Sequence, residues 1–77
     1  MTRAFAFGNL AVYILDERGA PHHHAHAHIK RKGQRVATVF LATLTLIDQN
    51  EPLPKDFLDR LAQEQPNMIE LWSQLNE

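Results

Sequence analysis

The sequence has no cysteine. That excludes disulfides, thiolate metal ligands and a cysteine nucleophile together, and it fits a reducing compartment. Only three glycines are present, and none stands in a loop of the kind that cradles phosphate. The one serine, Ser73, lies outside any Gly-x-Ser-x-Gly setting. No apolar run approaches the roughly 20 residues that a membrane helix needs. Thr2-Arg3-Ala4-Phe5-Ala6-Phe7 is too short and too broken to serve as the apolar core of a signal peptide. These absences together predict a cytoplasmic chain with no membrane partner. The formal net charge of −1 gives no general signature of a nucleic-acid binder.

At 77 residues the chain is read as one domain, 1–77, with a small core. A core this small leaves little stability to spare, so a second small protein or a second copy of the chain is an expected partner. The charges that are present are segregated. Lys30, Arg31, Lys32 and Arg35 crowd the middle, while Asp48, Glu51, Asp56, Asp59, Glu64, Glu70 and Glu77 make the last third acidic. A dipolar molecule of this kind suits a charged partner or head-to-tail self-contact.

Residues 9–16 are rich in β-branched and aromatic side chains and read as a strand. Asp16 to Pro21 is polar with Gly and Pro and reads as a turn. Residues 22–30 read as a second strand, and Arg31-Lys32-Gly33-Gln34 as a second turn in which Gly33 is free to take positive φ. Residues 35–47 form one long strand or two short ones. Asn50-Glu51-Pro52-Leu53-Pro54 then ends the sheet. Pro54 suits the first turn of a helix whose apolar face is Phe57, Leu58 and Leu61. The helix should falter at Gln65, before Pro66, and restart with Asn67 as N-cap and Glu70 at capping-box spacing. The second helix would run from Met68 towards Glu77 with Ile69, Trp72 and Leu75 as its apolar stripe, Leu71 or Met68 beside them. The predicted fold is α+β: an antiparallel meander of three to four strands over about 9–48, then one or two helices over about 54–77 packed on one face.

All five histidines fall within residues 22–28. In a strand, side chains alternate between faces, so His22, His24, His26 and His28 would share one face and Ala25, Ala27 and Ile29 the other. Neighbours on a face lie about 6.5–7 Å apart, close enough for two imidazoles to converge on a divalent transition metal such as zinc or nickel. Asp16 and Glu17, across the turn, could add oxygen ligands. The same row of imidazoles also reads as a plain polar sheet face. It also reads as a partner surface, or as an anion site together with Lys30, Arg31, Lys32 and Arg35. Paired histidines can also act as general acid and base, and beside those cations would suit RNA cleavage. Nucleic acid remains a less favoured partner, because four cations at a turn are commonly a solvated hairpin tip. Phe5, Phe7 and Tyr13 could stack bases, though such side chains more often fill a core.

The segment His26-Ala27-His28-Ile29-Lys30, after Gly19-Ala20-Pro21, resembles the Pro-Pro-His-x-His-Val segment of a small bacterial family of unknown function. Leu10 to Asp16, Gly33, Val36 to Ile47, Leu53-Pro54 and Trp72 extend the resemblance over residues 10–75. Three departures stand out: Ala27 where the family has a bulky residue, the extra His22-His23-His24-Ala25, and Pro66 within what is usually one long helix. They favour His26 and His28 over His22 and His24 as carriers of any shared role. The resemblance implies a short, cytoplasmic α+β protein, often encoded in a toxin–antitoxin-like gene pair. It implies an interaction protein more than an enzyme. The alternative is a His-dependent or metal-dependent hydrolase or nuclease-like toxin using His26 and His28.

Overall fold

The computed structural model describes residues 2–15 and 24–76. Among these residues five strands form one antiparallel sheet whose spatial order is the chain order: β1 (Thr2–Phe7), β2 (Leu10–Ile14), β3 (His26–Arg31), β4 (Gln34–Phe40) and β5 (Leu46–Ile47). Two helices follow, α1 (Lys55–Gln63) and α2 (Gln65–Leu75). The α+β class is as expected, but the sheet has five strands, not three or four.

The additional strand is β1. It pairs with β2 through the two-residue turn Gly8-Asn9, with Gly8 at φ 61 supplying the left-handed start that such turns need. A bulge between Arg3 and Phe5 turns Phe5 and Phe7 inward. Both rings pack on Phe57 of α1, each with its centroid 6.0 Å away, so these aromatics belong to the core and are not base-stacking platforms. The run 35–47 resolves into β4 and β5, with Phe40 N–H bonded to the Thr45 carbonyl and Leu44 at φ 59 between them.

At the β3–β4 turn Lys32 (φ 51) and Gly33 (φ 82) are both left-handed, the type I′ geometry that matches strand twist. A bulge follows: Ile29 pairs with Ala37 and Lys30 with Arg35, so Val36 is the extra residue. Val36 and Ala37 are both buried, while Arg35 is turned to the face that Lys30 occupies.

The core lies between the sheet and the helices. Val12, Ile14, Ala27, Ile29, Ala37, Val39, Leu41, Phe57 and Met68 are fully buried in it. The inward direction of Ala27 and Ile29 follows from strand alternation. α1 presents Phe57 and Leu61, as its periodicity indicates. α2 departs from expectation in its start and its rotation. The break between helices is the single residue Glu64, and Pro66 lies in the first turn of α2, where a missing N–H has no helical partner to lose. Asn67 is therefore inside the helix and not its N-cap; its amide donates to Glu64 Oε1. Met68 is fully buried, whereas Ile69 is 40 % exposed. The true stripe is Met68, Leu71, Trp72 and Leu75. Gln65 fastens this helix to the sheet by donating from Nε2 to the carbonyls of Leu41 (2.6 Å) and Ala42 (3.2 Å). No helix among the described residues is long and apolar enough to cross a membrane.

Candidate functional site

Both helices lie on one side of the sheet, and no described helix or strand packs on its other, open face. Register fixes what that face presents. One row across the strands runs Arg3, Tyr13, His28, Thr38 and Ile47. Beside it lie Ala11, Lys30 and Arg35 on one flank, and His26 opposite Phe40 on the other.

His26 and His28 are adjacent on this face, with ring centroids 5.4 Å apart and planes tilted by 31°. The Nδ1–H of His26 donates to the His24 carbonyl at 2.9 Å, which makes Nε2 the unprotonated nitrogen of the neutral ring. His24 itself is exposed, just before β3, and its ring meets Phe40 edge-on at 6.4 Å. His22, with Asp16 and Glu17, lies outside the described residues. A shallow hollow of about 230 Å³ opens over the pair, lined by His26, His28, Arg35, Thr38, Phe40, Ile47 and Asp48. A second, more apolar hollow of about 400 Å³ lies next to it between His24, Ala25, Phe40, Ala42 and Thr43. Among the described residues no three His, Asp or Glu side chains are gathered closely enough to enclose a metal ion as they stand.

The basic cluster of the sequence divides in space. Lys30 lies on the open face with its ammonium 5.3 Å from the Tyr13 ring centroid, a cation–π contact. Arg35 shares that face and is exposed. Arg31, one residue on from Lys30, points to the helix side, where its guanidinium donates to Glu51 (2.8 Å) and Asn9 (2.7 Å). Lys32 stands at the exposed tip of the turn. The four cations are thus not one patch: two belong to the open face, one ties the edge of the fold together, and one sits at the turn.

Acidic charge gathers on the opposite side, in the helices. Asp56, Asp59 and Glu70 are exposed there, and Glu64 pairs with Arg60 at 3.0 Å. The open face carries basic, aromatic and imidazole side chains, with Asp48 among the residues that line its hollow. Sequence reading did not single out Thr38, Phe40, Ile47 or Asp48 for this site, because their proximity to the histidines is a matter of cross-strand register. The chain matches no protein-family model, no curated protein and no solved structure.

Proposed function

We propose that the protein is a small interaction module, one component of a toxin–antitoxin-like pair, that docks an acidic segment of a second protein on the open face of its sheet. The chief support is the one-sided covering of the sheet: both helices lie on the Phe57 side, while Tyr13, His26, His28, Lys30, Arg35, Phe40 and Ile47 remain on the other. Half-buried rings give contact area and the cations give sign, a combination suited to a partner whose surface is negative. The paired, cytoplasmic character of the module rests on the resemblance of residues 10–75 alone.

The test is titration of the isotope-labelled full chain with a polyglutamate peptide, followed by amide chemical shifts. Binding should perturb Tyr13, His28, Lys30, Arg35, Thr38 and Phe40, weaken with salt, and disappear in a Lys30→Glu/Arg35→Glu variant. Silence on that face, or shifts confined to the helices, defeats the proposal. Tighter binding of a single-stranded RNA oligonucleotide would shift the assignment to nucleic acid.

One observation favours a second reading, a hydrolase or nuclease-like toxin: His26, His28 and Arg35 share one hollow. Two imidazoles can serve as acid and base while a guanidinium holds phosphate. Under that reading, alanine at both His26 and His28 abolishes RNA cleavage while the fold survives.

A further inference from the structure

We propose that His26 and His28 form a two-imidazole binding site for a divalent transition metal (zinc, nickel or copper) on the open face of the sheet. The site goes beyond the docking role and needs no protein partner.

Three observations converge. The first is spacing. An ion held tetrahedrally by two imidazoles at about 2 Å puts the ring centres roughly 5 Å apart. The His26 and His28 centroids are 5.4 Å apart, close to that separation. The second is the protonation pattern of His26. Its Nδ1–H donates to the His24 carbonyl at 2.9 Å, so the ligand nitrogen of the neutral ring is Nε2. A ring N–H donated to a carbonyl is the usual outer-shell arrangement of a ligating histidine, because it fixes the tautomer and raises ligand basicity. The third is rigidity and access. β3 is the middle strand of the sheet and is hydrogen-bonded on both sides. The two side chains therefore project from the stiffest part of the sheet into a hollow of about 230 Å³ that leaves room for solvent ligands.

Charge around the pair is mixed. Lys30 and Arg35 oppose a cation there, and Asp48, the one carboxylate among the described residues that line the hollow, favours it. Asp48 does not complete a three-ligand cluster as it stands. The described residues therefore supply two nitrogen ligands, and water completes the shell. Two neutral imidazoles select zinc, nickel and copper over magnesium and calcium, which prefer oxygen.

The experiment is calorimetric titration of the tag-free full chain with zinc, nickel and magnesium chlorides. Two variants accompany it: His26→Gln/His28→Gln, and His22→Gln/His23→Gln/His24→Gln. Circular dichroism checks that each variant folds. The triple variant should keep one zinc or nickel ion per chain at near wild-type affinity, and the double variant should lose roughly tenfold or more. Magnesium should not bind, and Asp48→Asn should weaken binding a few-fold. Imidazole resonances of His26 and His28 in the wild-type chain, followed on zinc addition, give the same answer should the double variant fail to fold. Retained affinity in the double variant, loss in the triple variant, or unmoved His26 and His28 resonances each overturn the proposal.

Discussion

Lys30 and Arg31 are consecutive in the chain and serve opposite sides of the sheet. Lys30 lies over Tyr13 on the open face, whereas Arg31 reaches Glu51 and Asn9 on the helix side. Their substitutions should therefore separate cleanly. Arg31→Ala breaks an ion pair whose side chains are about one-third exposed, 32 % and 35 %. Solvent screening limits its contribution, so the expected loss is at most about 1 kcal/mol, with binding of an acidic peptide unchanged. Lys30→Ala combined with Arg35→Ala should leave thermal stability nearly unaltered and weaken that binding. Paired melting and titration curves decide it; equal effects of both changes on binding would mean that the two faces do not act independently.

The His-Ala alternation is what made the open face legible. Strand period two places Ala27 and Ile29 inward and His26 and His28 outward, and the structure has them so. Period two also separates Lys30 from Arg31, a consequence hidden when the four cations are counted as a cluster. β1 was illegible because Ala4, Phe5, Ala6 and Phe7 alternate in size, not in polarity, and because its bulge shifts the phase. The turn between β4 and β5 carries no Gly, Pro, Asn or Asp; Leu44 takes the left-handed position that those residues usually mark. The Val36 bulge, which sets Arg35 beside Lys30, leaves no trace in composition either. Asp48 and Thr38 reach the hollow only through cross-strand register, which a single sequence does not encode locally.

Gln65 should prove more important than a polar helix-start residue usually is. Its amide donates to two carbonyls in the turn just after β4, Leu41 and Ala42, and so holds α2 to the sheet. Gln65→Ala leaves both acceptors without that donor, at a cost of about 1–2 kcal/mol. For a chain of this size, each kcal/mol lowers Tm by roughly 4–8 °C. Gln65→Glu should be worse, because a carboxylate faces the same carbonyl oxygens and cannot donate when ionised. A Gln65→Glu protein as stable as wild type would show that the amide contact is dispensable.

The rotation of α2 is tested by its two neighbouring apolar residues. Met68 is fully buried between helix and sheet, whereas Ile69 is 40 % exposed. Met68→Ala removes side-chain volume from the core, where truncations of this kind cost about 2–5 kcal/mol. That is a large share of the 5 kcal/mol or so that a small domain can hold. Ile69→Ser removes apolar surface already near water and should change stability by no more than about 0.5 kcal/mol. Denaturant midpoints of the two variants settle the phase of the helix. A severe loss from Ile69→Ser with a mild one from Met68→Ala would turn α2 by about 100°. The stripe would then be Ile69, Trp72 and Leu75, with Met68 facing water.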